Sequence, residues 1–322
     1  MKVSNNKPSG ASRRKMLGAA AAGVVALSLP ALFRKPSVGG ALGAEGFRTV
    51  RPGELVVAAT GDMPMFALRE GKAIGADAEM LDRIARRLGL KLTIDVMEWA
   101  ACLASVTSGR ADIVGGNTAW TPKRAMVMPM TDEVYFTGNY AAMKQDRPFT
   151  GSIRIEDFRG QTIGSGSGFS MVPDLRRIEG IRGLKLYDTI DATLRDVVAG
   201  RLDIAVLDAP IVDYVMRMNP DWGLKQVPIV QNPDFPIIGR PQHSIWGMSP
   251  DNPRLFDAVN TGIEWLWRTG QVREILAKYG MSDPLYLQRP AVSPRTGIDR
   301  DEQGRVIGPF AHPHTDFSAL FA

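Results

Sequence analysis

The chain has 322 residues, 44% of them hydrophobic and 23% charged, which allows two packed domains and is typical of a globular protein. Its net charge of +5 comes from the N-terminus, because the first 44 residues carry seven basic and no acidic side chains. The remaining 32 basic and 34 acidic residues give a net charge of −2. This excludes the overall positive charge with which many proteins bind nucleic acid.

The first 44 residues have the pattern of an export signal. Arg13 and Arg14 precede an apolar, alanine-rich run from Met16 to Phe33, which is typical of a twin-arginine (Tat) signal. Small residues up to Gly43 suit cleavage, so we expect export to the periplasm. Since the run is just long enough to span a bilayer, an uncleaved membrane anchor is the alternative.

From Glu54 onward, the sequence alternates between strand and helix patterns. An apolar run at residues 55–59 predicts a buried strand, and Asp77 is expected to cap a helix that Gly89 ends. The single cysteine, Cys102, excludes an intramolecular disulfide and lies at helical spacing among apolar residues, which predicts a buried side chain. Further patterns predict a strand over 92–96, a helix over about 100–108 and a strand over 111–114. This order favours a mostly parallel sheet with helices on both faces.

A second unit of the same kind begins near Arg159. Its patterns predict strands near 159–164, 184–187 and 203–207, and a helix over 192–199. The phrase Gly109-Arg110-Ala111-Asp112-Ile113 recurs as Gly200-Arg201-Leu202-Asp203-Ile204, which indicates two similarly built lobes. A strand at 244–248 and helices at 253–268 and 270–279 are then expected to return to the first lobe.

We therefore predict an α/β protein of two lobes, joined by crossovers near Tyr140–Lys144 and Pro236–His243. The expected domains are an export signal (1–44), lobe 1 (45–142 plus 240–286), lobe 2 (143–239) and a C-terminal extension (287–322). The extension is rich in proline, glycine and charge, which predicts a solvated tail with a small hairpin around Gln303-Gly304. A metal site at His312 and His314, or a contact with a partner protein, is the alternative.

Polar residues follow several predicted strands, at the edge where open parallel sheets bind ligands. Arg124 ends one polar segment, and the glycine-rich segment 164–170 offers free N–H groups at a helix start. Both suit a carboxylate, whereas Asp208, at the end of another strand, suits an ammonium group. Because an α-amino acid carries both groups, these charges predict an amino-acid site.

The segment from about Glu54 to Gly280 resembles the polar amino-acid (family 3) periplasmic solute-binding proteins of ABC transporters. Five motifs carry the resemblance in order: Gly75-Ala76-Asp77-Ala78-Glu79 with two conservative departures, the aromatic Trp99, Thr121-Pro122-Lys123-Arg124, the stretch from Phe158 to Ser170, and the phrase from Gly200 to Asp208. The resemblance implies the two-lobed, type II periplasmic-binding-protein fold. The ligand is then expected in a cleft between lobes that close by hinge motion.

The resemblance also implies ligand-binding roles for particular residues. Arg124 is expected to bind the ligand carboxylate, together with the turn that contains Phe169 and Ser170. Asp208 is expected to bind the ammonium group, and Trp99 to stack on the ligand side chain.

Two departures from the family pattern affect the site. The segment before the Thr-Pro-Lys-Arg motif is one residue longer than usual, so the polar contacts expected from Asn117 and Thr118 have no fixed position. Asp62 lies near a position where relatives often carry an aromatic residue that covers the ligand. Together with Trp99 and Trp120, Asp62 predicts a cationic or aromatic ligand side chain, through charge pairing and cation–π contact.

We therefore interpret the chain as an extracytoplasmic binding protein that delivers an amino acid or similar zwitterion to an ABC permease in the inner membrane. We expect a monomer that needs no cofactor, metal, nucleic acid or catalytic residue. Two alternatives stay open: a periplasmic dehydratase of the cyclohexadienyl or arogenate type, and a partner of a periplasmic dehydrogenase or sensor system. A dinucleotide-binding loop is excluded because Phe169 occupies the third glycine position of G-x-G-x-x-G, and a serine hydrolase is disfavoured because G-x-S-x-G does not occur.

Overall fold

The computed structural model describes residues 46–322. The export signal predicted over residues 1–44 lies outside them. Within this described part of the chain, no helix combines the length and the apolar character that crossing a membrane requires.

Strands and helices alternate through most of the described residues. The strands are β1 (Glu54–Ala59), β2 (Ala67–Arg69), β3 (Lys72–Ile74), β4 (Lys91–Val96), β5 (Ile113–Ala119), β6 (Tyr135–Thr137), β7 (Asn139–Lys144), β8 (Thr162–Gly166), β9 (Gly183–Tyr187), β10 (Ile204–Asp208), β11 (Leu224–Pro228) and β12 (Gln242–Met248). The α-helices are α1 (Ala76–Arg87), α2 (Trp99–Thr107), α3 (Pro122–Ala125), α4 (Val172–Leu175), α5 (Ile190–Val198), α6 (Ala209–Met218), α7 (Pro253–Arg268) and α8 (Gln271–Lys278). Short 3-10 helices lie at Ile155–Phe158, Pro220–Trp222, Pro284–Leu287, Gly308–Phe310 and Ser318–Phe321.

The first lobe is built on a five-stranded sheet with the order β4-β1-β5-β12-β6. β1 runs parallel to β4 and β5, whereas β12 is antiparallel to β5 and β6. Alternate residues of β1 pack into two cores: Val57 packs with α1, α7 and α8, and Val56 packs with α2. Both faces of the sheet are therefore covered, as the continuous apolar run of β1 predicts. Cys102 is buried on α2, as predicted, and this burial raises the pKa of its thiol to about 12.

The second lobe repeats this plan with the order β11-β7-β10-β8-β9. β8 is parallel to β9 and β10, and β7 is antiparallel to β10 and β11. Along β10, Ile204 and Val206 face one core and Ala205 and Leu207 face the other. The recurring sequence phrase leads into β5 and β10, which hold the central position of their sheets. The prediction of two similarly built lobes is therefore confirmed.

The first of the two crossovers between the sheets lies at a different point from the one predicted. β6 ends in the first sheet at Thr137 and β7 begins in the second sheet at Asn139, so Gly138 is the first crossover. Tyr140–Lys144, predicted as the crossover, lies in β7 and pairs with β10 and β11. The predicted lobe boundary after residue 142 falls inside this strand. The return crossover lies between β11 and β12, where Pro236–His243 was predicted.

The C-terminal extension packs against the first lobe, so the prediction of a solvated tail is wrong. Arg295 is 1% exposed, and Phe317 and Phe321 join the core that contains α1 and α7. The predicted hairpin is present, with Arg300 bridged antiparallel to Val306. A few widely spaced anchors hold the extension, and such anchors leave no periodic pattern in a segment rich in proline and glycine.

Candidate functional site

A cavity lies between the two lobes at the carboxyl ends of the parallel strands. Residues at or just after the ends of β1, β5, β8, β9 and β10 line it. Seven of the nine predicted ligand-binding residues are among them: Asp62, Trp99, Asn117, Arg124, Phe169, Ser170 and Asp208. The space for the centres of water molecules is about 30 Å³, which corresponds to roughly two water positions. The cavity in this arrangement of the lobes is therefore smaller than an amino acid.

Arg124 supplies the positive charge of the cavity. Thr121 caps α3, and its Oγ1 accepts a hydrogen bond from the Arg124 backbone N–H at 3.2 Å. The guanidinium Nη1 donates to the Ala119 carbonyl at 2.7 Å, and Nη2 donates to the Gly168 carbonyl of the second lobe at 3.3 Å. Burial lowers the Arg124 pKa to about 10, which still leaves the group charged at neutral pH. Five N–H groups are present on a guanidinium, so donors remain for a carboxylate.

Asp208 supplies a carboxylate from the second lobe, at the end of β10. Burial raises its pKa to about 7, although the charge of Arg124 and the amides of Asn117 and Asn139 oppose this rise. Asn139 Nδ2 donates to Asp208 Oδ1 at 3.3 Å. An ammonium group in the cavity would stabilise the ionised form of Asp208, because it would replace the lost solvation.

Asp62 adds a second carboxylate on the first-lobe side. Burial raises its pKa, a hydrogen bond from Thr60 lowers it, and the charge of Asp191 raises it further. Asp188, which follows β9, lines the opposite side of the cavity. With Asp208, these groups place three carboxylates and one guanidinium around the same space.

Asn117 supplies an uncharged donor to the cavity. Its backbone has a φ of 58°, and its Oδ1 accepts a hydrogen bond from Thr137 Oγ1 at 2.9 Å. The side chain is 5% exposed, and within residues 46–322 its Nδ2 makes no hydrogen bond of normal geometry, although the amide lies near enough to Asp208 to lower the pKa of that carboxyl group. The amide has two N–H donors, so one can remain directed to Asp208 while the other is suited to bind a ligand oxygen.

Asp77 holds the backbone of this segment in place, which corrects its predicted role as a helix cap. Gly75 is the N-cap of α1, and Asp77 lies inside the first turn. The Asp77 Oδ2 accepts hydrogen bonds from the backbone N–H of Gly116 at 2.8 Å and from the Trp246 Nε1–H at 3.2 Å. Asp77 therefore fixes the backbone of the cavity wall and does not cap the helix.

Trp99 and the glycine-rich turn close one side of the cavity. The Trp99 Nε1–H donates to the Gly168 carbonyl at 3.3 Å, across the two lobes. The Arg124 Cζ lies 5.2 Å from the centroid of the Trp99 ring, so this ring face already stacks on a cation. Phe169 and Ser170 line the wall beside it, and Ser170 Oγ is 3.5 Å from Gln242 Nε2.

Thr118 and Trp120 do not line the cavity, contrary to the prediction. Thr118 is fully buried behind the strand. The Trp120 Nε1–H donates to Asp299 Oδ2 at 3.1 Å, so the indole points toward the C-terminal extension. The physical reason is the alternation of side chains along a strand: Asn117 and Ala119 face the cavity, so Thr118 and Trp120 face away from it.

Sequence reasoning missed Thr60 and Asp188 as wall residues. Both directly follow the carboxyl end of a parallel strand, Thr60 after β1 and Asp188 after β9. The rule that selected Asp208 would have found them if it had been applied to every strand end.

No group of three or more histidine, cysteine or acidic side chains within residues 46–322 is arranged to hold a metal ion. The two tail histidines considered as metal ligands both approach Asp257. His312 Nε2 lies 3.0 Å and His314 Nδ1 lies 3.4 Å from its Oδ1 atom.

A cavity with opposite charges contributed by two α/β lobes defines a two-lobed binding protein for a small charged solute. Residues 55–282 match the family model of bacterial extracellular solute-binding proteins, family 3, and the chain belongs to this family. This confirms the resemblance noted in the sequence.

Comparisons with individual proteins agree with this assignment. The chain is 25% identical over 234 residues to the probable amino-acid-binding protein YxeM of Bacillus subtilis (strain 168), covering 71% of this chain and 84% of that protein. An ancestral arginine-binding protein bound to glutamine superposes with a TM-score of 0.63 at 22% identity, covering 71% of this chain and 98% of the other. The ancestral amino-acid-binding protein AncCDT-1, a precursor of cyclohexadienyl dehydratase, gives a TM-score of 0.60 at 18% identity, over 70% and 95% of the two chains. These structures confirm the two-lobed fold.

Proposed function

We propose that the protein captures an L-amino acid in the periplasm and delivers it to an ABC permease. The observation that carries this proposal is the pairing of Arg124 and Asp208, which reach one cavity from opposite lobes. A zwitterion satisfies both charges at once, because its carboxylate pairs with Arg124 and its ammonium pairs with Asp208. The ligand can contact both groups only when the lobes are closed. It therefore binds the closed arrangement more tightly than the open one, and this difference in affinity drives closure.

The ligand side chain is proposed to be cationic. Asp62 and Asp188 remain after a zwitterion has paired with Arg124 and Asp208, so the cavity keeps an excess of negative charge. An arginine or lysine side chain would reduce this excess, and an aromatic side chain would not. We therefore propose L-arginine and L-lysine as the first ligands to test.

A thermal-shift screen against the common L-amino acids tests the proposal, because a ligand that binds only the folded protein raises its melting temperature. L-Arginine is expected to raise it, whereas N-acetyl-arginine (no ammonium) and arginine amide (no carboxylate) should raise it much less. Arg124→Ala and Asp208→Ala are expected to abolish the shift. Lys123→Ala, an exposed neighbour on α3, is the matched control and should keep it.

A complete absence of amino-acid hits would refute this proposal and favour a role with a protein partner, such as a periplasmic dehydrogenase or a sensor. A hit that keeps its affinity in both Arg124→Ala and Asp208→Ala would refute the assigned site alone.

Export through the twin-arginine route is proposed from residues 12–33 alone, because they lie outside the described part of the chain. Replacing Arg13 and Arg14 by lysine should retain the precursor inside the cell. Fractionation followed by immunoblotting measures this, and unchanged export would contradict the route.

A dehydratase activity is the second candidate, and the observation that favours it is Asp208. A carboxyl group with a pKa of about 7 is partly protonated at neutral pH, and such a group can act as a general acid. Incubation of the protein with prephenate or arogenate distinguishes the two functions. Turnover that is lost in Asp208→Asn would support an enzyme, and no turnover beside tight amino-acid binding would support the solute-binding role.

A further inference from the structure

The C-terminal extension contributes a buried charged cluster directly behind the ligand cavity. The tail cluster consists of Arg295 and Asp299 from the extension with Trp120 and Glu133 from the first lobe. Arg295 donates to both carboxylate oxygens of Asp299, at 2.7 Å and 3.2 Å, and approaches Glu133 Oε1 at 3.4 Å. A buried and bidentate ion pair of this kind fixes its two side chains in one geometry.

The cluster also holds the backbone that follows α3. Arg295 Nη1 donates to the Thr131 carbonyl at 2.7 Å, and Nη2 donates to the Met130 carbonyl at 2.9 Å. A second extension residue, Arg300, donates to the same Met130 carbonyl at 2.7 Å. The extension is therefore hydrogen-bonded to the loop between α3 and β6.

Trp120 connects this cluster to the ligand site. Its indole N–H donates to Asp299 Oδ2 at 3.1 Å, and the Arg295 Cζ lies 5.9 Å from its ring centroid. The residues on either side of Trp120 hold Arg124: the Ala119 carbonyl accepts from Arg124 Nη1, and Thr121 Oγ1 accepts from the Arg124 backbone N–H. An indole fixed by the extension thus holds the two neighbouring residues, Ala119 and Thr121, that accept hydrogen bonds from Arg124.

The match to the family model ends at residue 282, before the tail cluster residues Arg295 and Asp299. The acceptor for the buried Trp120 N–H therefore comes from a segment that the matched region does not include. Without Asp299, the Trp120 N–H would lose its acceptor and Arg295 would lose its bidentate carboxylate while keeping Glu133 and two carbonyls, so the indole would no longer be held by the extension.

We propose that Arg295 and Asp299 are positioning residues for the ligand site, which act through Trp120 on Arg124. The extension then contributes to the ligand site of the first lobe. It sets the orientation of the guanidinium that receives the ligand carboxylate. The proposal rests on the proposed function for its affinity readout, and a second readout without ligand keeps the two separable.

The test compares Asp299→Ala and Trp120→Phe with the control Arg305→Gln. Trp120→Phe keeps an aromatic ring but removes the N–H donor, so it remains informative if Asp299→Ala does not fold. Arg305 forms an exposed ion pair with Asp301 at 2.7 Å in the same hairpin, and its replacement leaves the tail cluster intact. Dissociation constants for L-arginine are measured by calorimetry at a temperature where each variant is folded.

Asp299→Ala and Trp120→Phe are each expected to weaken L-arginine binding by about tenfold. The double variant should bind only slightly more weakly than Asp299→Ala alone, because the effects of two substitutions that remove the same contact do not add. Amide hydrogen exchange of residues 119–125 in the ligand-free protein should be faster in both variants and unchanged in Arg305→Gln. Affinities within twofold of the wild type, with unchanged exchange, would overturn the proposal. If the wild type binds no amino acid, the proposed function fails, and the exchange of residues 119–125 alone decides the positioning role.

Discussion

Replacing Asp208 by asparagine should stabilise the ligand-free protein while abolishing ligand binding. Burial holds the pKa of Asp208 at about 7 rather than at its ordinary value of 3.8. Because the native state then binds a proton that the unfolded chain has already lost, stability falls as pH rises from about 4 to 7. Above that range, the buried ionised carboxylate lowers the free energy of unfolding by a constant amount. Asparagine keeps the shape of the side chain without its charge, so it avoids this loss.

The size of this cost follows from the two pKa values. Their difference corresponds to about 4 kcal/mol as an upper limit, at about 1.4 kcal/mol per pKa unit. Since Asp208 keeps some exposure to solvent, we expect a gain of about 1–2 kcal/mol for Asp208→Asn at pH 8, or a rise of about 3–6 °C in melting temperature.

Differential scanning calorimetry of both proteins without ligand, at pH 5 and pH 8, measures the effect. The variant should gain at pH 8 and lose most of this advantage at pH 5, where the wild-type carboxylate is protonated. Asp146→Asn, which replaces an exposed carboxyl group in the same way, is the control for the substitution itself. An Asp208→Asn variant that is less stable than the wild type at pH 8 would refute the assignment of a buried, poorly compensated carboxylate.

Four further results are expected. Ligand affinity in the wild type should fall as the pH drops from 8 to 5, because protonation of Asp208 removes the charged partner of the ligand ammonium. Calorimetric titrations measure the affinity across this range, and a constant affinity would contradict the role of Asp208. Arg124→Lys keeps the positive charge but should weaken ligand binding by roughly tenfold or more, since an ammonium group cannot bind a carboxylate in bidentate geometry. Calorimetry measures the affinity, and a change below twofold would exclude a bidentate contact between Arg124 and the ligand carboxylate. Asp62→Asn should reduce the preference for L-arginine over L-glutamine in competition titrations, and an unchanged ratio would remove Asp62 from side-chain recognition. Phe321→Ala should destabilise the protein by about 3 kcal/mol in chemical denaturation, against no effect of Val292→Ala, whose side chain is 80% exposed.

The ligand site was predictable where a local rule connects sequence to position. Arg124 and Asp208 follow the central strands of two similar sheets, and parallel strands bring their carboxyl ends to one edge. Two strand ends that meet at a cleft therefore had to bring these charges close together. The same rule applies to Thr60 and Asp188.

The rest of the site depends on contacts between distant segments. The side chains of β5 alternate, with Asn117 and Ala119 facing the cavity and Thr118 facing away, but the sequence does not show which of the two faces meets the second lobe. Trp120 turns away because its partner Asp299 lies 179 residues later in the chain. Composition alone predicted a solvated tail, since anchors such as Phe321 become visible only when the pocket that receives them is known.

Under the proposed function, the charges of the cavity connect ligand binding with closure of the lobes. Burial lowers the pKa of Arg124 and raises that of Asp208, so each group is held in an environment that disfavours its charged form. Arg124 already reaches the second lobe through the Gly168 carbonyl, a weaker partner than a carboxylate. Arg124 and Asp208 attract each other but form no ion pair in direct contact, and a zwitterion gives each of them such a partner only when both lobes contact it. The electrostatic cost of the buried charges in the ligand-free cavity is thus the source of the differential affinity that favours closure around an amino acid.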